Sequence, residues 1–233
     1  MVKFANLYPM GIERPLFDPK VELLKAAELL RNSKFIGLDA DQVLIDSKIP
    51  VINSLNRILK TSYRPEVMDG WSAVSRIALK HGLSQEEALK LEHDLWIDPE
   101  VLADAPPCRG AMQLTMKLVD MGKELRVVTS RIPELTEVTY SWFAEWMRWI
   151  PQGSIKIRQK EDTRSGEVFK ADTVRELSLP VFVEDTDFHA LLIQRLANAQ
   201  LILVNEKEGL EELDSQRITR VPTIWDLVHA LNA

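Results

Sequence analysis

Cysteine is almost absent from this sequence. The single residue, Cys108, excludes an internal disulfide framework and any Cys-rich zinc site. Histidine is scarce as well, and His81, His93, His189 and His229 show no metal-ligand spacing, so each reads as a surface or capping residue. No apolar run approaches the roughly 20 residues needed to span a bilayer. No charged-then-apolar leader opens the chain, and the expectation is a cytoplasmic protein without a membrane partner. Positive charge is in deficit: the formal net charge is -6 and the pI about 5.4. General nucleic-acid binding draws its affinity from clustered Lys and Arg, so this balance disfavours a polynucleotide partner. Small anionic substrates stay open. Internal repeats and low-complexity segments are also missing.

What is present is the make-up of an ordinary globular protein, 233 residues with 45% hydrophobic and 27% charged. Residues 1 to 17 carry no clear period, and then Asp18-Pro19 reads as N-cap and first helical residue of an amphipathic helix through Leu30. Five short apolar runs predict strands at Phe35 to Leu38, Leu125 to Val128, Ser154 to Ile157, Val181 to Val183 and Leu201 to Val204. Helical patterns at Gly110 to Met121, Pro133 to Ile150, Ala171 to Leu177, Phe188 to Ala197 and Thr223 to Leu231 lie between or after them. This alternation implies an α/β protein, a Rossmann-like mainly parallel sheet flanked by helices. The stretch from Ser47 to Pro107 holds only helical signals, with a capping box at Ser84-Gln85-Glu86-Glu87. Residues 47–107 are therefore predicted as a small helical cap inserted after the first strand. Residues 1–46 and 108–233 form the core, of which 1–33 is an N-terminal extension.

In open parallel sheets functional groups gather at the carboxyl ends of strands. Here the first run ends in Asp39-Ala40-Asp41, the second in Thr129-Ser130-Arg131, the third in Arg158 and the fourth in Glu184-Asp185. One acidic strand end commonly just caps the following helix; four polar ends together ask for chemistry. Asp39 and Asp41 would face opposite ways if the strand continued, so a turn after Leu38 lets them take distinct roles. One carboxylate can form an aspartyl-phosphate while the second moves protons to the leaving group and from water. An anionic nucleophile and a phosphate dianion repel, so a hard cation is needed. Mg2+ suits Asp39, Asp185 and a backbone carbonyl at Asp41. Lys170 can neutralise remaining charge, and Thr129 can bond a phosphoryl oxygen.

Phe35-Ile-Gly-Leu-Asp39-Ala-Asp41-Gln-Val43 resembles motif I of the haloacid-dehalogenase-like hydrolases. Leu125 to Thr129 resembles motif II, Lys170 motif III, and Val181 to Asp185 motif IV, in order and spacing over residues 35 to 205. The resemblance implies a Mg2+-dependent phosphomonoester hydrolase, with motif I on a central strand. Its phosphatase branch looks similar at Asp41, whereas the dehalogenase branch lacks that aspartate. Two narrower likenesses compete. Asp39 to Asp46, the insert, and Ala105-Pro-Pro-Cys-Arg-Gly110 look like 5′(3′)-deoxyribonucleotidases. Arg158 to Lys170, with Thr129-Ser130-Arg131, is similar to the phosphatase half of polynucleotide kinase/3′-phosphatases, in which the arginines matching Arg131 and Arg158 lie at the phosphate site. A sizeable cap closes over a small molecule, so a nucleotide is the expected substrate. Two departures concern substrate identity: Gln42 replaces the family's usual Gly, and Glu184 its more usual Asp or Gly, where it reads as a partner behind the metal ligands.

Trp71 and Trp96 lie in the insert, where a ring can stack on a nucleobase or simply pack. Trp142, Trp146 and Trp149 share one helical stripe, which reads as core or as a subunit contact that would make a homodimer. Asp46 either lines the hinge of the insert or caps a helix. Cys108, without a histidine signature nearby, is not a nucleophile candidate. The charged run Glu206 to Glu212 reads as a solvated face.

Overall fold

The computed structural model describes residues 18–70, 72–205 and 216–233. The unpatterned residues 1 to 17, Trp71 and the charged run Glu206 to Glu212 lie outside the described residues. Among the described residues the chain runs α1 (Pro19–Asn32), β1 (Phe35–Leu38), α2 (Lys48–Leu59), α3 (Ala73–Lys80), α4 (Gln85–Ile97), α5 (Pro99–Ala103), α6 (Ala111–Asp120) and β2 (Glu124–Thr129). It continues through α7 (Thr136–Trp146), β3 (Ile155–Ile157), α8 (Gly166–Glu176), β4 (Val181–Glu184), α9 (Asp187–Leu196), β5 (Gln200–Val204), β6 (Ile218–Val221) and α10 (Ile224–Asn232). No helix among these is long and apolar enough to cross a membrane.

The strands form one parallel sheet in the order β3-β2-β1-β4-β5-β6. Alternation along β4 shows how the sheet is covered. Val181 and Val183 join the larger apolar core under α1, α6, α7 and α10, while Phe182 points into a second core under α8 and α9. Gly37 of β1 makes room for Phe182: a Cβ there would lie 2.3 Å from that ring. The chain lays down β1, β2 and β3 toward one edge, then returns to place β4 against the free side of β1. The sheet's switch point is therefore the crevice beyond the ends of β1 and β4.

Four helices, α2 to α5, intervene between β1 and β2. They share an apolar cluster of their own, including Val51, Ile52, Leu55, Val74, Ile77, Leu95 and Leu102, which touches Leu135 ahead of α7. The Ser84 capping box opens α4. At the other end of the molecule α1, capped by Asp18 as its sequence suggested, packs on β6 and α10. The Arg31 guanidinium there donates to the Ala230 and Leu231 carbonyls at 3.0 and 3.3 Å, which lie in the last turn of α10.

Three local expectations need correction. A sixth strand, β6, extends the sheet. The helix expected over Pro133 to Ile150 opens as a 3-10 turn at Pro133–Leu135 and ends at Trp146, where Met147 leaves helical geometry, so Trp149 lies beyond it. Trp142 is buried, and its indole N–H donates to the Ala105 carbonyl at 2.6 Å; the Trp149 indole donates to Thr115 Oγ1 at 3.2 Å. These rings are core. Finally, α8 starts at Gly166 and not at Ala171, because Ser165 serves as its N-cap.

Candidate active site

Asp39 extends the β1 ladder by one residue, its N–H donating to the Val183 carbonyl of β4 at 2.9 Å. The chain then turns sharply: the Leu44 and Ile45 N–H groups both return to the Ala40 carbonyl, at 2.9 and 2.8 Å. Gln42 sits inside that turn at φ 63°, in the left-handed region where glycine is at ease. In the amide orientation that satisfies its neighbours, the Gln42 side-chain oxygen accepts from the backbone N–H of Ser47 at 3.3 Å and of Lys48 at 3.2 Å. It thereby fastens the motif I turn to the start of α2.

Asp39 is nearly buried, and both carboxylate oxygens are engaged: Oδ1 accepts from the Ala40 N–H at 2.7 Å, Oδ2 from the Lys170 ammonium at 2.9 Å. Lys170 reaches Asp39 from α8, where it is completely buried. Its ammonium also donates to Glu184 Oε2 at 2.9 Å and His189 Nδ1 at 3.0 Å. Three N–H bonds meet three acceptors. The Glu184 Oε1 takes the Asp185 and Thr186 N–H groups at 3.1 and 3.2 Å, which shapes the loop after β4.

Asp41 is held differently. Arg131 donates to it twice, Nη2 to Oδ1 at 2.7 Å and Nε to Oδ2 at 2.9 Å, and the Ser47 hydroxyl donates to Oδ1 at 2.5 Å. Arg131 is itself anchored by donating to Thr139 Oγ1 at 2.9 Å. Burial works against ionising Asp41, but Arg131 and Ser47 outweigh it and hold the carboxyl below its ordinary range. Asp39 is the opposite case: burial, then the charge of Glu184, push it well up despite Lys170. Asp185, buried beside Glu184, is pushed up to about 7. Lys170 stays charged, because Asp39 and Glu184 overcome its desolvation, and Glu184 is held low chiefly by Lys170 against its own burial.

Asp39, Asp41, Ser130, Asp185, Lys48 and Trp96 all line one cavity of about 860 Å3 at the switch point. Thr129, at the end of β2, is buried, and its Oγ1 accepts from the Arg131 N–H at 3.3 Å. Arg158 is not part of that lining and donates to the Arg164 carbonyl. Asp46 takes the capping purpose, accepting from backbone N–H groups at the start of α2, and it also lines the cavity. Burial pushes the Cys108 thiol well up, toward its protonated and unreactive form. His189 corrects the sequence reading: it is buried, in the first turn of α9, and part of the Lys170 network. Its only sequence signal is its place five residues after Glu184.

Asp39, Glu184 and His189 offer ligand atoms within 4.8 Å of one another. The Lys170 ammonium already stands among all three, so this cluster has its cation. Asp39 and Asp185 both line the cavity as well.

No protein-family model matches the chain, and no curated protein matches it in sequence. Solved structures do. A protein from Clostridium difficile provisionally described as a phosphatase superposes with TM-score 0.59 at 16% identity, covering 86% of this chain and 99% of that one. A haloacid dehalogenase-like family protein from Streptococcus pneumoniae gives 0.54 at 15% identity, covering 84% and 97%. The chain has the haloacid-dehalogenase-like fold. CbbY from Rhodobacter sphaeroides, solved with phosphate, shares it at TM-score 0.51 and 16% identity, covering 86% of this chain and all of that one. The acidic end of β1 stands in the middle of the sheet, between β2 and β4, where the resemblance in sequence put motif I.

Proposed function

We propose that this chain is a Mg2+-dependent phosphomonoester hydrolase working through a phospho-aspartate on Asp39, with a nucleoside monophosphate as its substrate. The observation that carries the chemistry is the shared cavity at the switch point, with Asp39 and Asp41 on its floor and Lys170 fixed behind Asp39.

The charge inventory supports a metal. Asp39, Asp41, Glu184 and Asp185 bring four carboxylates to one place, and Lys170 and Arg131 supply two fixed cations. With all four ionised two negative charges are left over, and their repulsion adds to burial in raising Asp39 and Asp185 while no metal is bound. Apart from His189, whose Nδ1 is taken by Lys170, the donors facing the cavity are oxygens, the set a hard divalent cation prefers. Mg2+ held by Asp39, Asp185 and the Asp41 backbone carbonyl would supply charge neutralisation of nucleophile and phosphate.

The residues then divide the work. An Asp39 oxygen attacks phosphorus as the ester P–O bond breaks, and the leaving oxygen takes a proton from the Asp41 carboxyl. In the second displacement Asp41, as carboxylate, takes a proton from water, whose oxygen attacks phosphorus while the Asp39–phosphorus bond breaks. The Arg131 and Ser47 contacts favour the carboxylate form that the second displacement needs. Donation in the first requires that ion pair to open and Asp41 to take up a proton from solvent, and the arriving phosphate is the anion to which Arg131 can turn.

The nucleotide assignment rests on size and lining. A cavity of about 860 Å3 walled partly by Trp96 and Met68 accepts a ring system. A polynucleotide end is the weaker alternative, since Arg158 does not line the cavity and Lys48 is the one Lys or Arg among the described residues that do. A sugar phosphate is the rival within the same chemistry, favoured by the shared fold of CbbY, which has also been solved with xylulose-(1,5)bisphosphate. Phosphate release from a panel of phosphomonoesters, with Mg2+ and with EDTA, tests both levels. The expected result is Mg2+-dependent turnover, abolished in Asp39→Asn and best on nucleoside monophosphates. Full activity in EDTA, or in Asp39→Asn, rejects the chemistry. Preference for sugar phosphates rejects the nucleotide alone.

A further inference from the structure

A phosphoryl group attacked by Asp39 needs hydrogen-bond donors on the oxygens that carry its charge through the displacement. Lys170 has none to spare. Its three N–H bonds go to Asp39, Glu184 and His189, and it does not itself line the cavity. What its third bond does is fix the imidazole of His189. An ammonium can only donate, so Nδ1 is the acceptor, at 3.0 Å, and the proton of the ring stands on Nε2. The 3.4 Å approach of Glu184 Oε1 is also to Nδ1. Nε2–H therefore has no acceptor among the described residues, although His189 is only 6% exposed and lines the cavity. His189 stands in the first turn of α9, where Thr186 supplies no side-chain cap and its hydroxyl donates to Asp185 Oδ1 at 2.9 Å instead. The positive end of that helix dipole thus lies on the same side as the buried donor.

We infer that His189 is a catalytic residue whose Nε2–H donates to a phosphoryl oxygen of the ester held at Asp39, so that Lys170 acts on the phosphate through the imidazole. This rests on the phosphatase reading and deepens it. A ring nitrogen of His189 lies within 4.8 Å of an Asp39 oxygen, so phosphorus joined to Asp39 carries its own oxygens toward the ring. The bond from Lys170 polarises the imidazole and strengthens donation from its far side. The proton stays where it is. With Nδ1 held by the ammonium, losing the Nε2 proton would leave an imidazolate, so His189 supplies a hydrogen bond and proton transfer remains with Asp41.

The test separates the two ring nitrogens, with Mg2+ present throughout. His189→Asn keeps an oxygen that accepts from Lys170 but has no donor at the Nε2 position. It should melt near the wild type, lose about 100-fold in kcat on p-nitrophenyl phosphate, and lose inhibition by orthovanadate by a similar factor. His189→Gln, whose amide N–H reaches the Nε2 position, should recover part of both. Wild-type kcat and vanadate inhibition in His189→Asn overturn the inference and leave the phosphatase reading standing. So does a loss of kcat with vanadate inhibition unchanged, since the ring would then not touch the phosphoryl group. Nitrogen-15 NMR of the wild-type imidazole needs no variant to fold: it should show the proton on Nε2, and that resonance should shift when inorganic phosphate is added. A proton on Nδ1, or an Nε2–H signal unmoved at saturating phosphate, overturns the inference equally. A wild-type protein that hydrolyses no phosphomonoester removes the phosphatase reading and the inference with it.

Discussion

Lys170 carries more of this site than any other single side chain, because its ammonium is completely buried and touches two carboxylates and an imidazole at 2.9 to 3.0 Å. Replacing it with Met leaves Asp39 and Glu184 facing each other with no cation between them. Breaking a buried pair in this way costs roughly 3–5 kcal/mol, so Lys170→Met should show that loss in urea unfolding, together with loss of turnover. An unchanged unfolding midpoint would show that the network is not the anchor described. Asp185 sets the pH behaviour. Its folded pKa, about 7, lies above its ordinary 3.8, so its protonated form is the one favoured by folding. The stability it contributes is whole below about pH 4 and is lost as pH rises through 7. The metal-free protein should therefore melt lower at pH 8 than at pH 5.5, and Mg2+ should flatten that dependence. A metal-free melting temperature that rises over this interval contradicts the assignment. Asp39, Asp41, Ser130 and Asp185 could be picked out beforehand because they directly follow apolar runs, and strand ends converge in any parallel sheet. His189 could not, since its place beside Lys170 is created by the packing of α9 on α8, which no spacing in the sequence announces.

At the scale of elements, β1 is the piece with least tolerance. A methyl group at Gly37 would meet the Phe182 ring at 2.3 Å and a Leu179 methyl at 2.8 Å. Gly37→Ala should cost about 1–3 kcal/mol by overpacking and lower kcat, because the strand that aims Asp39 must shift. Wild-type melting and turnover in this variant would refute the tight fit. The turn that follows makes a finer contrast. Gln42→Ala keeps the left-handed backbone but loses the bonds to Ser47 and Lys48, and should destabilise by about 1–2 kcal/mol. Gln42→Gly loses the same bonds but relieves the strain, so it should cost less, and calorimetry on the pair orders them. The elements missed from sequence have local reasons. Thr219 and Arg220 interrupt the apolar character of β6, so Ile218–Val221 shows no run. Gly166, a poor helix former, hides the true start of α8; the close approach requires glycine there, since a Cβ would lie 2.9 Å from Ser130.

For the molecule as a whole, the cavity beyond the carboxyl ends of β1 and β4 determines what can be bound. Trp96→Ala should raise KM for a nucleoside monophosphate several-fold while leaving KM for a small generic ester nearly unchanged, as only the nucleotide has a base to stack. An equal effect on both would make Trp96 a packing residue. The alternation that predicted the parallel sheet and the helical insert was legible because each element had a distinct period. The clasp between α1 and α10 was not, because Arg31 and the Ala230 carbonyl it binds are 199 residues apart. That clasp has a consequence for synthesis. Ala26, Ala27 and Leu30 of α1 are fully covered in the finished protein, partly by elements made last. At ribosomal rates of about 5–20 residues per second, the nascent chain carries this apolar stripe uncovered for roughly 10 to 40 s. Only when β6 and α10 have emerged can α1 dock fully.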